Sequence, residues 1–191
     1  VVELGDLDGD GDLDLVAANN YQVNRVYLSD GDGTFDSGSD VDTPTNATRN
    51  VALGDVDGDG DLDLVTANRN DENRVYLGDG DGTFAAGSDV STATDGTFAV
   101  LLRDLDGDGD LDLIFGNNES GAANHVHLGD GDGTFAAGSD VGSATDLTNS
   151  IKLGDVDGDG NLDLVTANQS QANRVHLGDG SGGFASASDV D

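Results

Sequence analysis

A ten-residue acidic string recurs four times along this chain, and a repeat of fixed length dictates the architecture of a protein more strongly than any local pattern. The copies read DLDGDGDLDL, DVDGDGDLDL, DLDGDGDLDL and DVDGDGNLDL, and they begin at Asp6, Asp55, Asp104 and Asp155. A second, glycine-rich string follows each copy in phase: SDGDGTF at 29–35, GDGDGTF at 78–84 and 129–135, and GDGSGGF at 178–184. We therefore expect one repeat domain over residues 1–191, with units at about 1–42, 43–91, 92–142 and 143–191.

Apolar residues around each acidic string alternate with other residues, which is the period of a β-strand with one buried face. In the second unit the expected strands contain Val51 and Leu53, then residues 62–67, then 73–77, and a fourth strand that starts at 83–86. The Asp-Gly pairs of the second string are typical of type I′ hairpin turns. Each unit is therefore predicted to be a four-stranded antiparallel meander in an all-β chain.

A single sheet of this length cannot bury both of its faces, so neighbouring units must stack on one another as the blades of a β-propeller do. Four units allow three closures: a four-bladed ring, an eight-bladed ring made from two copies, or part of a larger propeller. No helical solenoid is expected, because no window carries the 3.6-residue period of an amphipathic helix.

The acidic string has the donor pattern of a cation site. Counting Asp6 as position 1, carboxylates occupy positions 1, 3, 5 and 9, a glycine stands at position 6, and position 7 can offer its backbone carbonyl. Alternate residues of a curled loop can point their oxygens at one centre, which suits a hard cation that takes six to eight oxygen ligands. The candidate ligands are Asp6, Asp8, Asp10, Asp12 and Asp14; Asp55, Asp57, Asp59, Asp61 and Asp63; Asp104, Asp106, Asp108, Asp110 and Asp112; and Asp155, Asp157, Asp159, Asn161 and Asp163.

Calcium fits this donor set better than the other metals do. The chain has no cysteine and three histidines, which disfavours zinc and copper. An EF-hand is excluded, because it requires flanking helices and a glutamate at position 12, where this chain has Ala17, Thr66, Phe115 and Thr166. The alternative is an acidic turn that is merely solvated, but carboxylates clustered without a cation would repel one another. We therefore expect four structural Ca²⁺ ions, one in each unit.

The net charge of −32 limits the partners of the protein. A surface of this charge repels phosphate backbones and anionic membranes, so we expect no nucleic-acid partner. No apolar run is long enough to cross a bilayer, and we expect no membrane insertion. The expected partners are calcium and a glycan or an extracellular protein, with a homo-oligomer or polymer left open.

The strings described above resemble the FG-GAP or VCBS repeats found in integrin α-subunit propellers and in many secreted bacterial proteins. The resemblance rests on Asp-x-Asp-Gly-Asp-Gly-x-x-Asp, the Leu-Asp-Leu-Val strand after it, and the Leu-Gly-Asp-Gly-Asp-Gly-Thr-Phe hairpin. It implies a β-propeller with calcium in the loop that joins the first two strands of each blade. The family's Gly-Ala-Pro element is replaced here, for example by Thr66-Ala67-Asn68, and family propellers usually have seven or eight blades.

The predicted function is an extracellular calcium-binding module for adhesion or for glycan or protein recognition. Any specific recognition is expected on the rim opposite the acidic loops, where residues 20–23, 69–72, 118–123, 169–172 and links such as 43–50 differ between units. The alternative is that this rim is simply solvated and binds no ligand. A subunit of a surface fibre or sheath is the alternative, and the propeller of a polysaccharide-degrading enzyme is less expected. An extracellular location follows from the abundance of calcium outside the cell.

We expect no enzymatic activity, because the sequence shows no catalytic cluster. Three histidines on the third strands of the later units, His125, His127 and His176, have no placed catalytic partner and are expected to pack or to lie at the surface. Three arginines on third strands, Arg25, Arg74 and Arg174, could grip an acidic sugar, but a neutralising contact with a nearby aspartate is the ordinary explanation.

Overall fold

The computed structural model describes residues 1–41, 46–142 and 146–190, and these residues form sixteen β-strands and no helix. In chain order the strands are β1 Val2–Gly5, β2 Asp14–Ala17, β3 Arg25–Tyr27, β4 Ser39–Asp40, β5 Thr48–Gly54, β6 Asp63–Asn68, β7 Arg74–Tyr76, β8 Ser88–Asp89, β9 Thr97–Arg103, β10 Asp112–Asn117, β11 Asn124–His127, β12 Ser139–Val141, β13 Thr148–Gly154, β14 Asp163–Asn168, β15 Asn173–His176 and β16 Ser188–Val190. Within the described ranges, no helix that could span a membrane is found. The expected boundary at 91/92 lies between β8 and β9, whereas the boundaries at 42/43 and 142/143 fall on or beside residues 42–45 and 143–145, which lie outside the described residues, as do residue 191 and the first residues of the 43–50 link.

The strands form four separate sheets, each with four strands in sequence order, and every pairing is antiparallel. In the second sheet, for example, Leu53 lies opposite Leu64, which in turn lies opposite Tyr76. The alternation of apolar residues sets this register, because a slip of one residue would turn the apolar set of a strand to the other face. The all-β fold and the four-stranded meander of each unit are confirmed.

The fourth strand of each sheet differs from the prediction. In the second unit Phe84 makes an isolated bridge with Gly78, and the strand itself is Ser88–Asp89, which pairs with β7. The hairpin closes tightly through Ala85, whose amide donates to the Leu77 carbonyl at 2.8 Å. Pairing with the third strand is therefore interrupted after the hairpin and resumes at Ser88. The fourth strand begins later than the predicted start at 83–86.

The four sheets stack face to face in chain order, as propeller blades do. We call the face of a sheet that meets the preceding sheet its front face and the opposite face its rear face. For the second sheet the front face contains Val51, Leu53, Leu62, Leu64, Tyr76 and Phe84, and the rear face contains Val56, Val65, Ala67, Val75, Leu77 and Val90. Three apolar cores result, between the first and second, second and third, and third and fourth sheets.

The stack is an open arc. No apolar core joins the fourth sheet to the first among the described residues. Val2 and Leu4 on the front face of the first sheet are exposed, whereas their equivalents in the second sheet, Val51 and Leu53, are buried and partly buried. The closed four-bladed ring, one of the three expected closures, is therefore not formed by the described residues. The first strands of all four sheets line a shared central channel at residues such as Glu3, Ala52, Leu101 and Lys152.

Candidate metal centre

Each acidic string forms the loop between the first and second strands of its sheet. In the second unit this loop curls because Gly58 and Gly60 adopt φ angles of +76° and +98°, a region that favours glycine. The Asp55 carboxylate fixes the curl by accepting hydrogen bonds from the backbone amides of Gly58 and Gly60, at 2.7 and 3.0 Å. The other three loops repeat these bonds through Asp6, Asp104 and Asp155. The predicted turn at position 6 is confirmed.

The curl brings carboxylates together in all four loops. In each loop three carboxylates offer oxygen atoms that lie within 4.8 Å of one another. The groups are Asp6, Asp8 and Asp10; Asp55, Asp57 and Asp63; Asp104, Asp106 and Asp108; and Asp155, Asp157 and Asp163. Because calcium–oxygen distances are about 2.3–2.6 Å, oxygens on opposite sides of one ion are separated by up to about 5 Å. The spacing of these carboxylates therefore fits a single cation of that size.

Positions 1 and 3 belong to all four groups, whereas the third member is at position 5 in the first and third units and at position 9 in the second and fourth. The remaining position-5 carboxylates lie in the same loops, and Asp59, for example, accepts a hydrogen bond of 2.9 Å from the Asp61 amide. The side chains at position 7 pack elsewhere: Asp61 lies against Gly80 of the second hairpin. Asp12, Asp110 and Asn161 lie in the same way against Gly31, Gly131 and Gly180. A ligand at position 7 through the backbone carbonyl stays a prediction.

The aspartate at position 9 is buried and joins the two hairpins of its sheet. Both Asp63 oxygens accept backbone amides, one from Val56 at 2.7 Å and the other from Gly78 at 2.8 Å. Asp14, Asp112 and Asp163 make the equivalent pairs of bonds. Each oxygen retains a lone pair, so this carboxylate can hold the acidic loop in place and also face a cation.

The electrostatics of the loops favour a bound cation. Burial raises the pKa of Asp63 and of Asp112 above the ordinary value, and nearby aspartates add to the effect. Desolvation and the charges of its neighbours likewise raise the pKa of Asp8. The pKa of Asp163 is instead lowered, because the amides of Gly178 and Val156 stabilise its charged form. A cation among these groups would offset the repulsion between neighbouring aspartates, which adds to the effect of burial on the first three pKa values.

The second, glycine-rich hairpin is not the type I′ turn that we expected. Its glycines Gly80 and Gly82 have φ angles of +68° and +80°, but Asp81 between them does not have a positive φ, whereas a type I′ turn needs two adjacent residues with positive φ. The turn is longer and is closed by a hydrogen bond of 3.1 Å from the Asp79 amide to the Thr83 carbonyl. Asp81 caps it by accepting from the Thr83 amide and hydroxyl, which gives this aspartate a turn role.

The arginines and histidines on the third strands have structural contacts. Arg25, Arg74 and Arg174 lie 3.1, 3.0 and 3.2 Å from Asp40, Asp89 and Asp189 on the fourth strands, which confirms the neutralising contact. His125 takes the place of the arginine in the third sheet and lies 3.2 Å from Asp140. His127 and His176 are buried, and burial lowers the pKa of both rings. The expectation that these histidines pack in the sheets is consistent with these positions.

Sequence reasoning missed a polar relay that joins neighbouring sheets. Asn73 at the start of the third strand donates to the Thr97 hydroxyl of the next sheet, and Thr97 donates onward to Asn117, at 2.9 and 2.8 Å. The same relay joins Asn24, Thr48 and Asn68, and again Asn124, Thr148 and Asn168. The sequence did contain a pattern that indicates this relay, because these asparagines and threonines recur in phase with the acidic strings.

A family model described as FG-GAP-like repeat matches the chain at residues 6–66, 55–115 and 104–166. No curated protein sequence matches the chain. Among solved structures, the chain is similar to an Agrocybe aegerita lectin that recognises non-reducing terminal N-acetylglucosamine, with 24% identity and a TM-score of 0.69. The alignment covers 100% of this chain and 52% of the lectin chain, so this chain spans about half the length of that structure.

Two further solved structures share the fold at lower identity. The V. cholerae biofilm matrix protein Bap1 is 16% identical with a TM-score of 0.62, over 99% of this chain and 28% of that chain. The Bacillus licheniformis rhamnogalacturonan lyase PL11 is 16% identical with a TM-score of 0.56, over 96% of this chain and 41% of that chain. The fold is that of a β-propeller, and the repeats that build it show that the chain belongs to the FG-GAP-like repeat family.

Proposed function

We propose that this protein is an extracellular propeller module whose four acidic loops bind calcium and whose opposite rim recognises a glycan or a protein. The observation that carries the proposal is the fourfold recurrence of three converging carboxylates in a loop tied down by backbone amides. In a merely solvated turn these converging carboxylates would repel one another with nothing to offset the repulsion.

The role of the calcium would be structural. The cation would sit beside the buried aspartate at position 9, which already connects the acidic loop to the second hairpin of the same sheet. Binding would therefore stabilise both hairpins of a sheet together, and it would remove the cost of holding several carboxylates close to one another. The donors are all oxygens, which suits calcium and not a softer metal.

The rim opposite the acidic loops supplies the surface for recognition. There the Phe98 ring lies beside two guanidinium groups, with Arg49 at 5.3 Å and Arg69 at 6.0 Å from the ring centroid. Tyr21 stands exposed in the loop between β2 and β3. Aromatic rings and arginines near one another are the groups that stack on sugar rings and bind acidic substituents.

The structural neighbours support recognition or matrix assembly, because one is a sugar-binding lectin and another a biofilm matrix protein. A subunit of a surface fibre or sheath remains the second candidate, favoured by the biofilm matrix protein among the structural neighbours. The proposal includes no enzymatic activity: the described histidines pack in the sheets or contact aspartates, and the acidic groups are assigned to cation binding.

A glycan array screened with the calcium-loaded protein tests the recognition half of the proposal. Loss of sugar binding in Arg69→Ala and in Phe98→Ala would support the assigned rim. The control is Arg103→Ala, which should retain binding because Arg103 is at the end of β9 opposite Phe98. A chain that binds no glycan and no extracellular protein, or whose binding depends on Arg103 alone, would contradict it.

A further inference from the structure

We propose that Arg49 and Arg69, which lie beside one phenylalanine ring, bind the acidic group of a saccharide, a carboxylate or a sulfate ester, on the rim opposite the acidic loops. This inference rests on the proposed function, since it names the class of ligand that the rim would recognise.

An extra residue interrupts the first strand of the second, third and fourth sheets at the same place. In the second sheet the extra residue is Arg49, because Thr48 and Asn50 on either side of it pair with two consecutive residues of β6. Phe98 and Asn149 are the extra residues of the third and fourth sheets. Such β-bulges re-aim a side chain and are frequent next to active sites. We call Arg49, Phe98 and Asn149 the bulge residues.

The bulge position varies between sheets, whereas the residue before it does not. A threonine precedes each bulge residue and takes part in the polar relay between sheets, but the bulge residue itself is an arginine, a phenylalanine or an asparagine. All three stand near the start of a first strand and therefore lie on the rim opposite the acidic loops. Residues that differ on a rigid, repeated scaffold are typical of ligand recognition.

Each of the last two bulge residues contacts the residue that follows the second strand of the preceding sheet. Arg69 follows β6, and its guanidinium carbon lies 6.0 Å from the centroid of the Phe98 ring. Asn118 follows β10 in the same way and donates a hydrogen bond of 2.9 Å to Asn149. The Phe98 ring also has the guanidinium carbon of Arg49 at 5.3 Å from its centroid. We call Arg49, Arg69 and Phe98 the arginine cluster.

The two guanidinium groups of this cluster have no carboxylate partner among the described residues. Arg25, Arg74 and Arg174 each lie between 3.0 and 3.2 Å from an aspartate of the neighbouring strand. Arg49 and Arg69 form no such ion pair within the described ranges, although the chain has 39 acidic residues. The Nε atom of Arg49 is buried and has no hydrogen-bond acceptor in this part of the chain. A ligand oxyanion can supply the acceptor that this donor lacks.

The charge of the acidic loops does not prevent an anion from binding at this rim. The first strand of the third sheet runs seven residues from Thr97 to Arg103, which is roughly 20 Å at about 3.3 Å for each residue. The acidic loops begin beyond its far end, so at physiological ionic strength they are more than two Debye lengths of about 8 Å away. Close to the ring, two positive charges repel each other, and an anion beside both of them offsets that repulsion.

The groups around the arginine cluster favour a saccharide over an acidic peptide. The side-chain amides of Asn118 and Asn149 use one hydrogen bond on each other and keep further donors and acceptors, which can bind sugar hydroxyls. Asn50 and Ser150, the residues after two of the bulges, add polar side chains nearby. The guanidinium fork suits carboxylate and sulfate oxygens, so the set as a whole fits a hydroxyl-rich ligand that carries an acidic group.

Two matched pairs of oligosaccharides test the proposal. The first pair is a hyaluronan oligosaccharide, which carries carboxylates, and its carboxyl methyl ester; the second is a sulfated galactan oligosaccharide and its desulfated form. Isothermal titration of the calcium-loaded chain at constant free calcium should show at least one acidic member binding at least about tenfold more tightly than its neutral counterpart. The pair that shows the difference identifies the acidic group.

The outcomes separate this inference from the proposed function on which it rests. Acidic and neutral members that bind equally would overturn the anionic ligand and leave the rim as a surface for neutral glycans. Oligoglutamate that binds as tightly as the acidic saccharide would overturn the saccharide. If neither acidic oligosaccharide bound, the inference would be wrong, whereas a glycan array without any bound sugar would count against glycan recognition itself.

Single substitutions locate the anion. Arg49→Gln and Arg69→Gln should each weaken binding of the acidic oligosaccharide by about tenfold, because each removes charge-assisted hydrogen bonds. Arg49→Lys keeps the charge but loses the planar fork, so it should also weaken binding. Arg103→Gln is the matched control, since this exposed arginine makes the same charge change at the far end of β9. An equal loss in the control would mean that net charge governs binding, and it would contradict the assigned cluster.

Melting temperatures without ligand distinguish binding from a structural role. If the two arginines serve only to cover the Phe98 ring, Arg49→Gln and Arg69→Gln should both lower the melting temperature. If they are held for an anion, the removal of one of two like charges should leave the melting temperature unchanged or slightly higher. A clear loss of stability in both variants, with binding of the acidic oligosaccharide unchanged, would overturn the proposal.

Discussion

The side-chain amide of Asn73 donates a hydrogen bond of 2.9 Å to the hydroxyl of Thr97, and this bond joins the third strand of one sheet to the first strand of the next. Both residues are buried, as is Asn117, which accepts the proton of the Thr97 hydroxyl. The relay repeats at each of the three junctions between sheets, so the apolar cores are aligned by a directional contact as well as by packing.

Replacing Thr97 with valine should destabilise the protein while preserving the shape of the side chain. The substitution leaves an Asn73 amide proton and an Asn117 oxygen buried without a partner, at a cost of about 1–3 kcal/mol for each group. Thr134→Val is the matched control, because that hydroxyl bonds to exposed aspartates of a hairpin. Urea unfolding measures both variants, and equal losses would show that the relay contributes nothing specific.

Removing the buried carboxylate of Asp63 should lower stability whether or not calcium is present. Asp63→Ala leaves the amides of Val56 and Gly78 without acceptors, which costs about 1–3 kcal/mol for each amide. Thermal unfolding in calcium and in chelator should therefore show a loss in both conditions. A loss confined to the calcium-loaded protein would mean that Asp63 acts only through the metal and not through the two hairpins that it joins.

Removing the charge of a predicted calcium ligand at position 3 should lower stability only when calcium is present. Asp57→Asn keeps the side-chain oxygen that accepts the Asp59 amide but removes the negative charge. With free calcium about a hundredfold above its dissociation constant, a lost site costs up to about 2.7 kcal/mol. In chelator the same variant should be as stable as the parent or more stable, because the repulsion within the loop is weaker.

Asp81→Asn serves as the control for that substitution, since Asp81 caps the second hairpin and is assigned no metal. It should change the melting temperature little in either condition. If Asp57→Asn and Asp81→Asn lowered stability equally in calcium, the second hairpin would belong to the coordination sphere.

The buried His127 should make the protein sensitive to mild acid. Burial lowers the pKa of this ring, so the folded state holds it neutral while the unfolded state binds a proton near the ordinary value of about 6.5. The free energy of unfolding is therefore undiminished by this ring above about pH 6.5, and it decreases as the pH falls below that value.

His127→Tyr tests this effect with a residue that the chain already uses at the equivalent site. Tyr76 lies against Gly87 as His127 lies against Gly138. Thermal unfolding in saturating calcium at about pH 7.5 and about pH 5.5 should show a smaller loss in the variant than in the parent. Equal losses would mean that the histidine remains neutral in both states or is protonated in both.

The sequence predicted those features that depend on local spacing. The period of two around residues such as Val51 and Leu53 defined the sheets, and the Asp-Gly pattern located the curled loops, because both are set by the geometry of a few consecutive residues. The fourth strand was misplaced because the bridge between Phe84 and Gly78 depends on how the hairpin closes, which the dipeptides alone did not define.

The relay and the open arc depend on distant parts of the chain. Asn73 and Thr97 are 24 residues apart, and in the sequence each resembles an ordinary polar residue at the end of a strand. The exposure of Leu4 could not be read from its neighbours, since the identical pattern around Leu53 is packed against another sheet. Only the placement of whole sheets distinguishes the two leucines.

Calcium binding by all four acidic loops is tested most directly by counting the bound ions. Isothermal titration of the metal-free chain with calcium, checked by native mass spectrometry, should give four ions for each chain, and chelation should then lower the melting temperature markedly. Magnesium prefers a stricter octahedral geometry and should bind more weakly. Two or fewer calcium ions for each chain, or a melting temperature that chelation leaves unchanged, would contradict the assignment of the four loops as structural calcium sites.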